Sequence, residues 1–194
     1  SLTGARMAVE LHAGHCKQGD DEGLEVAIHQ IELSEVYVRR LLEVASGRPH
    51  EDRPQLAGQC ISDIRKSLSP IARHLRIDIQ WDIADEANGF PLRDGPAWAA
   101  AVTNLVHNAM QAGDRVRVTV KPTDTEQLVV RVADNGNGVP DQVAGELFEP
   151  FVTSKPEGMG LGLSVARRAA KHLGGEVHWK REDNWTIFEM TASK

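Results

Sequence analysis

Nowhere in its 194 residues does this chain carry an apolar run approaching the ~20 residues that cross a bilayer, and no signal peptide opens it. Cysteine is scarce. Cys16 and Cys60 lie far apart with no metal-ligand spacing around them, which speaks against a disulfide framework and suits a reducing cytoplasm. Positive charge is not in excess: 22 Lys and Arg against 28 Asp and Glu leave a formal net charge of -6. No basic field therefore draws nucleic acid or an anionic membrane. Internal repeats and low-complexity tracts are missing too. What is there, 41% hydrophobic and 26% charged residues, is ordinary for a soluble globular protein that buries a core, as one large domain or two small ones. Ser1 stands where a methionine would open a gene product, so the chain is expected to belong to a longer protein, any sensor or membrane part lying upstream.

Taken in order, Leu2 to Leu11 reads as the tail of a helix and His12 to Gly23 as a turn. A long helix is expected from Leu24 to a glycine stop near Gly47. Leu24, Ile28, Ile31, Val38, Leu42 and Ala45 fall at alternating spacings of four and three, with Glu35 the single interruption, a heptad seam. A second apolar line (Val26, Leu33, Tyr37, Leu41, Val44) is wider than one partner helix covers. The pattern predicts a helical hairpin over 1–47 that completes a four-helix bundle by homodimerising; a helix packed on its own domain is the alternative. The stretch 48–54, rich in proline and charge, is the expected linker, and 55–194 a second domain.

Within that domain Gln59–Leu75 is a predicted amphipathic helix that Pro70 should kink or restart. Ile77, Ile79, Trp81 and Ile83 alternate with polar residues as a half-buried strand. Asp94 before Pro96 is a helix start, the helix running to about Ala112. Strands are expected at Val116–Val120 and Leu128–Val132 around a turn at Thr123–Gln127, then a helix over Gly160–Leu173 stopped by Gly174 and Gly175. Strands Glu176–Lys180 and Thr186–Thr191 close the chain. The mixture predicts an α+β protein, its second part a two-layer α/β sandwich with a mixed sheet.

Four clusters carry the chemistry: NLVHNAMQA (104–112), ADNGNGVP (133–140), LFEPFVTSK (147–155) and GMGLGLS (158–164). On a helix, Asn104 and Asn108 share a face, and two amide oxygens can help hold a hard cation such as Mg²⁺. In isolation the pair would be solvent-facing or capping asparagines; the neighbouring clusters give the metal reading its weight. Asp134 at a strand end can accept a hydrogen bond from an exocyclic amine. Gly136 and Gly138 then let the backbone pass a flat ring. An acid before Asn-Gly is also a common turn. Phe148 and Phe151 would anchor a lid that brings Thr153, Ser154 and Lys155 to phosphates. Gly158, Gly160 and Gly162 lead into a helix whose open N-terminus suits an anion. Neither the Walker nor the Rossmann spacing is present.

In this order the clusters resemble the boxes of sensor histidine kinases, within the superfamily that includes gyrase, mismatch-repair and heat-shock chaperone ATPases. NLVHNAMQA is similar to the asparagine box, DNGNG to the first glycine box, FEPF to the phenylalanine box and GMGLGLS to the second glycine box. The phrase FVTSKPEGMGLGLSVA is most like the nitrogen-regulation type. The resemblance implies a Bergerat-type fold that binds ATP with Mg²⁺ and transfers the γ-phosphate to a histidine, for relay to the receiver domain of a response regulator. A non-enzymatic nucleotide-binding dimer is the alternative. By resemblance Asn108 is the principal Mg²⁺ ligand with Asn104 assisting, and Asp134 contacts adenine, supported by Thr186. Lys155 belongs to the lid, and the backbone of Gly160, Leu161, Gly162 and Leu163 faces the phosphates. The dimerisation segment resembles the sequence just after the acceptor histidine, which would then lie before Ser1; His12 and His15 sit at the interhelical turn and His107 on a helix face. Hydrolysing relatives place a glutamate where Asn104 stands, and many sensor kinases a lysine at Gln111.

Overall fold

A computed structural model describes residues 52–155 and 160–194. The expected helical hairpin, most of the linker, and Gly158 lie outside the described residues. In chain order the elements are β1 (Gln55–Leu56), α1 (Ala57–His74), β2 (Asp78–Ile83), α2 (Asp85–Asn88), β3 (Pro91–Leu92), α3 (Gly95–Met110), β4 (Arg115–Pro122), β5 (Gln127–Asp134), α4 (Asp141–Ala144), α5 (Gly162–His172), β6 (Val177–Glu182) and β7 (Trp185–Ser193). Five strands form one sheet in the order β2-β4-β5-β7-β6. β2 runs parallel to β4 and the other pairs are antiparallel, so the sheet is mixed, as the sequence pattern predicts.

The period-two alternation of the strands sets one face of this sheet against helices. Val116, Val118 and Val120 of β4, Leu128, Val130 and Val132 of β5, and Phe188, Met190 and Ala192 of β7 are buried in a single cluster. The cluster takes Ile61, Ile64 and Leu68 from α1, Trp98, Val102, Leu105 and Ala109 from α3, and Ala166 and Ala170 from α5. In register across the sheet, Val118 faces Val132, Val132 faces Phe188 and Phe188 faces Trp179, a continuous apolar row. Phe148, from the segment after α4, stands edge-on to Phe188 with ring centroids 6.3 Å apart.

α3 is the central helix. Asp94 caps it, its Oδ1 accepting from the Ala97 N–H at 3.2 Å, and Pro96 sits in the first turn where its missing N–H removes nothing. Asp94 is wholly buried, and its other oxygen lies 3.3 Å from Nε2 of His172 at the end of α5. Asp52 meets the same imidazole at 3.0 Å and the Arg93 guanidinium at 3.1 Å, so this charge cluster ties the start of α3 to the end of α5.

Of the two outcomes expected at Pro70, a restart does not occur: α1 is one helix from Ala57 to His74. Pro70 and Lys66, whose carbonyl loses its partner, are both on the exposed side of the helix, where water replaces the missing bond. α5 starts at Gly162, two residues later than the sequence suggests, because Gly160 and Leu161 form the turn into it. Strands β6 and β7 reach further than expected, joined by Asp183-Asn184 with φ of 47° and 66°, the two-residue turn that suits a twisted hairpin.

Truncating Phe188 to alanine removes the largest fully buried side chain of the apolar row and takes away the ring that Phe148 packs against. Urea denaturation should show a loss of about 3–5 kcal/mol in unfolding free energy. A loss below ~1 kcal/mol would mean that the row does not hold the sheet to its helices.

Candidate functional site

The apolar rows end at β5's last residue. Asp134 is 1% exposed, at a position where the strand pattern calls for another valine. Its register partners are Val116 on β4 and Thr186 on β7, and Thr186 in turn pairs with Arg181 on β6. Alternation places all four on the helix-covered side. The carboxylate accepts the Gly136 N–H on Oδ1 at 2.9 Å and the hydroxyl of Thr186. Burial pushes its pKa above the ordinary carboxylate value, while those hydrogen bonds and the charges of Arg181 and Lys155 pull it back.

The loop after Asp134 is docked onto the end of α3. Asn135 donates from Nδ2 to Asp114 at 2.7 Å and accepts the Arg115 N–H on Oδ1 at 2.9 Å. A Cβ on Gly136 would stand 2.2 Å from the carbonyl oxygen of Ala112. Gly136 is thus needed for the chain's own close approach to α3, whereas the sequence reading gave it to a ligand ring. Gly138 lies beside the Arg181 guanidinium.

On α3, Asn104 is 7% exposed; its Nδ2 donates to the Ala100 carbonyl at 3.0 Å, leaving Oδ1 directed at Gly162, 3.7 Å from where a Cβ there would sit. Asn108, one turn on, meets Lys155. The Nζ of Lys155 donates to Asn108 Oδ1 at 3.1 Å, to the Asn108 carbonyl at 3.4 Å and to Gln111 Oε1 at 3.0 Å. Burial lowers the lysine's pKa and the Asp134 charge raises it in part. Three uncharged oxygens thus converge on one cation, a donor set that also suits a hard metal ion. Thr153 turns the chain toward this point, accepting the Lys155 N–H on Oγ1 at 3.0 Å. Thr153 and Ser154 are themselves exposed.

The third side of the site is the start of α5. Its N-cap position, Leu161, supplies no side-chain hydrogen bond, so the first amides are open to an incoming anion. A Cβ on Gly160 would lie 2.5 Å from the carbonyl carbon of Phe151, and its φ is +66°. Only glycine lets the 151–152 backbone pack there, where the Phe151 N–H donates to the Gly160 carbonyl at 3.0 Å. Arg167 fastens α5 to the same segment through Glu149 at 2.9 Å.

The structure therefore brings Asp134 and Thr186 together, links Asn108 to Lys155 and Lys155 electrostatically to Asp134, and sets Asn104 against Gly162. Leu161 is buried and Leu163 half-buried. Two contributors went unnoticed in the sequence. Gln111, which stands where many sensor kinases have a lysine, accepts a hydrogen bond from Lys155. Arg181 was readable from Asp183-Asn184: a two-residue turn there fixes Arg181 opposite Thr186.

Residues 93–194, just over half of the chain, match the family described as histidine kinase-, DNA gyrase B-, and HSP90-like ATPase. The chain belongs to this ATPase family. Its relatives include the C4-dicarboxylate transport sensor protein DctS of Rhodobacter capsulatus, 31% identical over 150 residues, or 71% of this chain and 22% of that protein. The sensory histidine kinase/phosphatase NtrB of Azospirillum brasilense is 26% identical over 208 residues, 98% of this chain and 51% of its own length. The chain thus spans from about a fifth to about half of those proteins. In fold it is similar to the nucleotide-free catalytic domain of histidine kinase ThkA, with a TM-score of 0.67 at 23% identity over 75% of this chain and 97% of that one. Full-length ShkA in complex with AMPPNP gives a TM-score of 0.72 at 21% identity over 98% of this chain and 42% of that one.

A carboxylate whose pKa is raised by burial destabilises the fold above that pKa, and the penalty fades as the pH falls through it and the group protonates. Asp134→Asn keeps the shape and removes the charge. The variant's melting temperature should equal or exceed that of the wild type at neutral pH, the gap narrowing toward acid. A clear drop in circular-dichroism melting at neutral pH would show instead that the carboxylate stabilises the fold.

Proposed function

We propose that this chain is the catalytic region of a two-component sensor histidine kinase, which binds ATP with Mg²⁺ and transfers the γ-phosphate to a histidine upstream of Ser1. The observation that carries the reading is the grouping of a buried acceptor at a sheet end, amide oxygens on one helix and an uncapped helix start. Asp134 accepts the exocyclic amine of adenine and Thr186 supports it. Gly136 and Gly138 border the base, and the amides of Gly160, Leu161, Gly162 and Leu163 face the phosphates. Thr153, Ser154, Lys155 and Gly158 belong to the lid over them. Bound Mg²⁺ would supply charge neutralisation on the phosphate oxygens, held by Asn108 with Asn104 assisting.

The same residues favour transfer over hydrolysis. Asn104 sits where its amide oxygen reaches the start of α5. An amide cannot take a proton from water at neutral pH, so water finds no base there. Lys155, held by Asn108 and Gln111, is placed to move onto phosphate and is the catalytic cation of the lid.

We assign 1–47 to the dimerisation hairpin, 48–54 to the linker and 55–194 to the ATP-binding domain. The phosphate then passes to the receiver domain of a response regulator. The parent protein is read as cytoplasmic in this region, attached to a membrane only through upstream segments. Among the described residues no helix is long and apolar enough to cross one. No nucleic-acid role is assigned.

Mixed with γ-labelled ATP and a longer form of the protein that retains the upstream sequence but carries Asp134→Ala, this chain should label the longer polypeptide and not itself. Label on the shorter chain would put the acceptor within it and bring His12 forward. Tight ATP binding without label on either would favour a nucleotide-binding signalling module. Light scattering should give twice the mass of one chain; a monomer at high concentration would count against the bundle.

A further inference from the structure

The Nη1 of Arg181 donates both its protons at once, to Thr186 Oγ1 at 2.7 Å and to the Gly136 carbonyl at 2.8 Å. The first bond fixes a direction. With its oxygen accepting from a guanidinium, which has no acceptor of its own, the Thr186 hydroxyl turns its proton to the Asp134 carboxylate. The second bond braces the glycine loop whose N–H at Gly136 also binds Asp134. Both hydrogen bonds that Asp134 receives are therefore set by one cation on β6. That cation is far in sequence from Asp134 and is brought beside it by the β5-β7-β6 register.

We propose that Arg181 is a positioning residue for purine selection, which through Thr186 and Gly136 holds Asp134 as an ionised, acceptor-only group that takes adenine and rejects guanine. The inference rests on the reading of Asp134 as the base contact. An ionised carboxylate accepts from the 6-amino group of adenine but repels the 6-oxo group of guanine. Once protonated it can donate to that oxygen, and the discrimination falls. Burial already moves the carboxyl toward protonation. The charges that face it are Arg181 from β6 and Lys155 from the lid; β7 contributes the Thr186 hydroxyl and β4 an apolar Val116. Lys155 is engaged by Asn108 and Gln111 and is drawn toward phosphates when a nucleotide arrives. Arg181 makes no such exchange: the partners it binds are the Thr186 hydroxyl and the Gly136 carbonyl. Arg181 is exposed on its outer side, so replacing it leaves the core row intact.

The test is calorimetric titration of the full chain with ADP and with GDP, without metal, from mildly acidic to mildly alkaline pH, for wild type, Arg181→Met, Arg181→Lys and Asp134→Asn. Arg181→Met should weaken ADP roughly tenfold and GDP far less, so that the ADP-to-GDP ratio narrows by a similar factor. Its ADP affinity should fall with acid at a higher pH than that of the wild type, because the remaining charge pulls Asp134 down less. Arg181→Lys, which can still donate two protons from one nitrogen, should recover most of the ratio. A ratio and pH profile unchanged in Arg181→Met, with ADP affinity lost in Asp134→Asn, would overturn the role of Arg181 alone. Equal loss of ADP and GDP in Arg181→Met, not rescued by lysine, would also overturn it and leave Arg181 a structural brace. Unchanged ADP affinity in Asp134→Asn would instead overturn the reading of the site on which the inference rests.

Discussion

One carboxylate in an apolar sheet constrains the rest of the molecule. Asp134 occupies an inward position of β5, next in line after Leu128, Val130 and Val132, and it is as buried as they are. A charge so placed is tolerated only if hydrogen bonds and opposite charges meet it. The Gly136 amide, the Thr186 hydroxyl and the Arg181 and Lys155 cations do so from four separate segments. The residual penalty of burial leaves the group ready to take a further donor, which is what a binding site requires and a stable core does not.

The surroundings of Asp134 explain why polar groups gather at this corner of the sheet while the opposite end is apolar. Toward β5's start the rows are closed by Met190, Ala192 and the helices. At its finish the chain leaves in a loop that cannot fold back, since Asn135 fastens it to Asp114 and Gly136 lies against Ala112. α3 reaches the same corner with its last two turns, where Asn104 and Asn108 replace apolar residues on an otherwise buried helix. α5 begins there without a cap. Each departure from good packing or capping is a local loss of stability, and all of them meet at one place, a pattern expected of a functional site.

Lys155 has two demands on it. In this structure its ammonium satisfies Asn108 and Gln111, and the Asn108 side-chain oxygen it holds is the one assigned to a metal ion under the proposed function. On that proposal, nucleotide with metal would meet an outgoing lysine, which would exchange amide partners for phosphate. Arg181 stands apart from this exchange, which is why the two cations near Asp134 are not equivalent.

Much of this was legible in the sequence because periodicity, glycine clusters and caps are local. The alternating valines of β4 and β5, the Asp94-Pro96 start of α3 and the spacing of Asn104 and Asn108 follow from chain geometry alone. Pro70 does not restart the helix, because whether a helix runs on through proline depends on which side faces water, and that is a tertiary fact. At Gly136 the obstruction that excludes a side chain is the Ala112 carbonyl, brought there by packing and visible in no local pattern. Arg181 shows the boundary most plainly. The sequence, through the two-residue turn at Asp183-Asn184, determines that Arg181 stands opposite Thr186, but only the pairing of β5 with β7 brings Asp134 beside them, because pairing between strands distant in the chain is chosen by the burial of their shared face.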